Sequence, residues 1–198
     1  MVMIKCQRMF VSLLLFFLSG QAIAGEVGAI VGFRTDDLTS ENGTRFSPSY
    51  GYQLGVVGLL PLNNTFNFRS GFVFAQRVVK RSSTLYYFSV DATDRTSTLD
   101  FPILLQANLL TGLYVFGGLS YSVALNHSCK VQTEGVICNA TKTVDDVPLE
   151  VGVGYDFYTV SDYHLKAEAE YDYGTRNSGP DTPFRRGVTI NLLGTCGF

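Results

Sequence analysis

The chain offers little for acid-base or nucleophilic chemistry. It holds two histidines and four cysteines, and it contains no Gly-x-Ser-x-Gly, phosphate-cradling loop or His-Glu-x-x-His run. His127 stands beside Cys129, and together with Cys138 these side chains are of the types that ligate zinc, provided the thiols are ionised. Oxidation removes that option. Cys129 and Cys138 share one polar stretch, and in an oxidising compartment such a pair closes a loop as a disulfide, worth about 2 to 3 kcal/mol on the chain-entropy argument. Cys196 is then an inert leftover thiol. His164 precedes Glu168 and Glu170 and has the chemistry of a general base, but the plainer expectation is a polar residue at the mouth of the cavity those acids line. No catalytic residue, metal site or cofactor is expected.

What remains is the chemistry of charge pairing. Arg34, Arg69, Arg77, Asp100, Glu150, Asp156, Lys166, Glu168, Glu170 and Asp172 all sit within stretches where apolar and polar residues alternate. Four cations and six carboxylates on one set of faces would form ion pairs and hydrogen bonds, and that requires elements holding them in a common interior.

Composition says what kind of elements. Of 198 residues 46% are hydrophobic but only 16% are charged, against about 25% in ordinary soluble domains. The shortfall is filled by 15 Phe, 11 Tyr and 20 Gly along with small polar residues. A formal net charge of −2 supplies no basic field for nucleic acid. Lys5 and Arg8, the apolar run from Met9 to Leu18 and the small residues Ala22 and Ala24 predict that residues 1–24 are a secretory signal, cleaved before Gly25. Its apolar run is too short to span a bilayer as a helix. Residues 25–198 are then one exported domain.

Period-two alternation recurs eight times, in residues 27–34, 49–60, from Phe66, 97–107, 113–125, 147–159, 164–173 and in a last run ending at Phe198. In the third, Phe66, Phe68, Phe72 and Phe74 oppose Asn67, Arg69, Gly71 and Arg77. In the seventh, Leu165, Ala167, Ala169, Tyr171 and Tyr173 oppose Lys166, Glu168, Glu170 and Asp172. Short turns follow the second, fourth and sixth runs, and long polar connections follow the first, third, fifth and seventh. The prediction is an all-β, eight-stranded antiparallel up-and-down transmembrane barrel. All ten charges fall on the faces opposite the aromatics, the reverse of a soluble barrel. An eight-stranded lumen is just wide enough for side chains to fill, so the ten residues are expected to form a plug.

Several segments carry a family likeness: residues 98–105 (Thr-Leu-Asp-Phe-Pro-Ile-Leu-Leu), Gly152-Val153-Gly154-Tyr155, Tyr171-Asp172-Tyr173-Gly174 and the terminal Phe198. With these the chain resembles the outer membrane β-barrel domain proteins of the PorT-like group and, more loosely, small barrels of the OmpA and OmpX type. The resemblance implies a multi-pass protein of a Gram-negative outer membrane, inserted by the barrel assembly machinery through a C-terminal strand that ends in an aromatic, here Phe198. Cys196 departs from the bulkier apolar residue usual near that signal. Partners expected are outer-membrane lipid and an extracellular or neighbouring protein that meets apolar loop residues such as Phe46 and Val136. The role expected is structural or loop-mediated binding and recognition, as in adhesion. A small cation-favouring pore and a lipid-modifying enzyme are the alternatives.

Overall fold

The structure, a computed structural model, describes residues 25–39, 45–85, 88–131, 145–174 and 184–197. It forms eight strands: β1 (Glu26–Thr39), β2 (Arg45–Pro61), β3 (Phe66–Leu85), β4 (Phe88–Asn108), β5 (Leu113–Val131), β6 (Leu149–Val160), β7 (Tyr163–Tyr173) and β8 (Phe184–Gly197). Each pairs antiparallel with its sequence neighbours, and β1 pairs with β8, so the sheet closes into a barrel. Closure is what the alternating sequence demands. A lipid-facing strand edge would leave backbone groups unsatisfied, and a closed ladder has none.

The outward faces carry the predicted apolar residues. Val31, Phe33, Leu54, Val56, Phe72, Ile103, Leu119, Val153, Ile190 and Leu192 are all exposed. In water such a band would drive association; against acyl chains it is the correct surface. Tyr50, Tyr52 and Tyr121 mark its upper end, and Tyr155, Tyr158 and Tyr163 its lower end, where amphipathic rings meet headgroups. No helix among the described residues is long and apolar enough to cross a membrane.

The lower turns are short and locally specified. Between β2 and β3, the Asn63 side-chain oxygen accepts from the backbone N–H of Thr65 at 2.9 Å and of Phe66 at 2.8 Å. Between β4 and β5, Gly112 adopts φ +79°, which a Cβ would disfavour.

Several strand limits differ from the sequence expectation. β1 continues to Thr39 and β5 to Val131, so Asp36, His127 and Cys129 lie on strands rather than in loops. Residues 79–85 and 88–96 continue the hairpin of β3 and β4 beyond the membrane band, as the strand-like run from Leu85 to Val90 within that long connection leads one to expect. β6 starts at Leu149 rather than Val147. Pro148 has no N–H to donate, and the ladder continues above it irregularly: Ser120 N–H donates to Pro148 O at 2.9 Å, and Ser122 and Asp146 exchange bonds of 2.8 and 3.0 Å. The signal segment 1–24, Cys138 and Phe198 lie outside the described residues.

Glycines on the inner face are what let so narrow a barrel hold large side chains. A Cβ on Gly152 would come 2.3 Å from the Phe116 ring, and one on Gly154 would come 2.2 Å from the Tyr114 ring. Gly58 faces outward, and its nearest neighbours to a Cβ are at 3.9 Å. Gly152→Val is therefore expected to abolish the electrophoretic shift between unboiled and boiled samples, while Gly58→Val keeps it and moves the urea midpoint little; equal behaviour of the two would refute this packing.

Candidate functional site

The candidate site is the lumen, built by strand alternation alone. Nine of the ten charged residues expected there are buried: Arg34, Arg69, Arg77, Asp100, Glu150, Lys166, Glu168, Glu170 and Asp172. Asp156 is half-buried at the lower rim, where a register shift interrupts the pairing of β6 and β7. It accepts from Thr159 Oγ1 at 3.0 Å and lies 2.7 Å from His164 Nδ1. His164 thus pairs with Asp156, not with Glu168 or Glu170. Asp36 is a lumen residue that the sequence analysis assigned to a loop; it is fully buried. The signal for it was its spacing, since Asp36 continues the inward phase of Gly32 and Arg34.

Three arginines organise the interior. Arg34 donates through Nε and Nη2 to the two oxygens of Asp36 at 3.0 and 2.8 Å, and through Nη2 to Asp172 at 2.9 Å. Its Nη1 donates to Gln53 at 3.2 Å, Gln53 donates to Asn191 at 2.9 Å, and Asn191 donates to Glu170 at 3.2 Å. One connected network therefore joins β1, β2, β7 and β8. Arg69 meets Glu168 with two parallel bonds of 2.6 and 3.0 Å, the planar fork geometry that makes Arg the strong partner of a carboxylate. Tyr114 adds a bond of 2.8 Å to Glu168, and the Phe116 ring lies 4.8 Å from the guanidinium carbon of Arg69. Arg77 donates to Asp100 at 2.8 Å. At the lower end Lys166 and Thr195 donate to Glu26 at 2.5 and 2.6 Å.

Ion pairs do not fill the lumen alone. Ile30, Val57, Leu59, Val73 and Leu193 form an inward apolar cluster, and Leu104, Tyr114 and Phe116 form another. Ile30 and Tyr114 lie on the polar side of their alternating runs, while Val57, Leu59, Val73, Leu104, Phe116 and Leu193 add apolar bulk that the charge pattern does not announce. The cavity left in the middle, lined in part by Arg34, Asp100, Ser120, Glu150 and Glu170, measures about 20 Å³, room for about one water molecule. A larger recess of about 360 Å³ opens at the lower mouth beside Glu26, Asn67 and Asp162.

The second cluster of chemistry lies in the upper extension. His127 Nδ1 is 3.0 Å from Thr96 Oγ1, and its Nε2 is 3.7 Å from Asp94. Cys129 is opposite Asp94. Among the described residues no group of three or more His, Cys, Asp or Glu is arranged to hold a metal. Cys196 is a free, half-buried thiol.

With this geometry in place, comparison with known proteins gives the class. Residues 20–179 match the outer membrane protein beta-barrel domain family, and the chain belongs to it. It is an all-β, eight-stranded antiparallel protein of the Gram-negative outer membrane. Among curated sequences none matches the chain. It is similar in fold to Neisserial surface protein A, with 11% identity over 88% of this chain and 97% of the other and a TM-score of 0.50. It also aligns with OprG of Pseudomonas aeruginosa, with 15% identity over 89% and 97% and a TM-score of 0.47. For Ail, the attachment invasion locus protein of Yersinia pestis, the identity is 14% over 88% and 99%, with a TM-score of 0.43. The match is to the family as a whole.

Breaking one partner of a buried ion pair costs about 3 to 5 kcal/mol, whereas replacing both is often close to neutral. Arg69→Met is expected to destabilise the folded barrel by that amount in urea titrations in micelles. Adding Glu168→Gln to it should recover a large part of the loss; a double variant as unstable as Arg69→Met would show that the pair is not coupled.

Proposed function

We propose that this protein is an outer-membrane barrel with a closed lumen, whose role is structural and whose binding is carried by its extracellular ends, as in recognition or adhesion. The observation that carries this reading is the filled interior. Arg34, Arg69, Ile30, Val73, Tyr114 and Phe116 occupy the bore, and the cavity beside Arg34 and Glu150 measures about 20 Å³. Such a lumen acts as a rigid strut that presents the ends of its strands. Support for a binding role comes from the length of β3, β4 and β5, 20, 21 and 19 residues, where about ten suffice to cross the membrane.

The same reading includes a leader, residues 1–24, removed before Gly25; a disulfide between Cys129 and Cys138; and insertion by the barrel assembly machinery through the strand ending at Phe198. N-terminal sequencing of the protein from outer membranes should begin at Gly25. Alkylation of the unreduced, denatured protein should label Cys196 alone, with Cys129 and Cys138 labelled only after reduction.

The decisive experiment joins conductance to binding. In planar bilayers the barrel should give no unitary conductance. Beads coated with it should bind members of a panel of immobilised glycans and matrix proteins, and replacing residues 40–44, 132–144 and 175–183 with Gly/Ser linkers should abolish that binding without changing the heat shift. Cation-selective steps would replace this reading by a pore, and acylated or deacylated product from lipid A would replace it by an enzyme.

A further inference from the structure

We propose that the outward face of β3, β4 and β5, just above the apolar band, is a binding site for the phosphorylated headgroup of an outer-leaflet glycolipid, with Lys80, Arg95 and Lys130 as its cations. The register assembles it. Lys80 pairs with Thr93, and Thr93 with Lys130; in the next row toward the membrane Val78 pairs with Arg95, and Arg95 with Ser128. Strands lie about 4.8 Å apart, so the two lysines stand about 10 Å from each other with Arg95 between them one row below. Thr93 and Ser128 add hydroxyls on the same face. The alternate residues Val79, Asp94 and Cys129 point to the other side.

All three cations are exposed, and among the described residues none is paired with a carboxylate. The nearest acid on this face, Asp91, lies one row further out opposite Ser82, whose hydroxyl donates to it at 2.7 Å. The opposite wall differs: there the register sets Asp37 against Arg186, so positive charge is balanced. Among the described residues the unbalanced patch lies on one side of the barrel.

Height identifies the ligand. A strand rising about 3.3 Å per residue at a tilt near 40° climbs about 2.5 Å per residue along the membrane normal. Starting at Phe66, the apolar band of about 25 Å ends near Gln76, and Lys80 lies roughly 10 Å beyond it. That is the level of outer-leaflet headgroups. Below the patch the same face presents Leu99, Phe74 and Phe72, a wall for acyl chains. A molecule satisfying both halves is an amphiphile with phosphate on its headgroup, which Arg and Lys bind through charge-assisted hydrogen bonds.

The test uses the full mature barrel, with lipid retained per barrel after detergent exchange as the readout and lipid A as the probe. Wild type should retain bis-phosphorylated lipid A and release phosphate-free lipid A. Lys80→Gln, Arg95→Gln and Lys130→Gln together should weaken retention roughly 100-fold, at about tenfold or less per cation. Arg186→Gln should leave it unchanged, and all variants should keep the heat shift that reports folding. Equal retention by the triple variant, or equal retention of phosphate-free lipid A, would overturn the proposal. Loss of heparin binding in the triple variant without any retention of lipid A by wild type would also overturn it, and would assign the patch to a soluble polyanionic glycan.

Discussion

A guanidinium that cannot face lipid must be buried in a bore too narrow to hydrate it, and the rest of this protein follows from how that burial is compensated. Arg69 is held by both oxygens of Glu168 and covered by Phe116. Arg34 is held by Asp36, Asp172 and Gln53. Asp36 holds Arg34 from the same strand, whereas the Arg69–Glu168 and Arg34–Asp172 pairs bridge strands far apart in sequence, so the network ties one wall of the cylinder to another. The charges are costly to bury singly and acceptable in company, which makes closure of the barrel and pairing of the charges a single event.

Space is the second constraint, and glycine meets it. Tyr114 and Phe116 lie where side chains on Gly152 and Gly154 would stand. Asp172 and Arg34 come against Gly187 in the same way. Large residues on one strand are matched by their absence on the next, so that an interior of fixed circumference is filled without collision. The inward side chains fall into two chemistries, polar around Arg34 and apolar around Ile30 and Leu193. Both ends are built differently: short specified turns below, and above, an extension of β3, β4 and β5 that carries polar residues on both faces.

Much of this was legible in the residues. Period-two alternation marks eight strands whatever their neighbours, because successive side chains on a strand must point to opposite faces, and charge cannot occupy the lipid face at modest cost. From those two rules follow the strand number, the up-and-down order and the inward placement of nine buried charges, from Arg34 to Asp172. Strand ends were less legible. Asp36, His127 and Cys129 sit where alternation continues but hydrophobicity stops, and only the hydrogen-bond ladder shows that the strands continue. Pro148 makes β6 start later than its apolar pattern suggested, since a missing N–H outweighs a favourable side chain.

The sequence by itself determined the class of the fold, the membrane it suits and the inward face of nine of the ten strand charges. Only the tertiary structure decided the partners: Arg69 with Glu168, Arg34 with Asp36 and Asp172, Asp156 with His164 rather than within the lumen, and the filling of the bore by Ile30, Val57 and Leu193. Alternation is a local property, fixed by the geometry of one strand. Pairing across the lumen depends on the register and stagger of all eight strands together, and no single stretch of sequence contains that information.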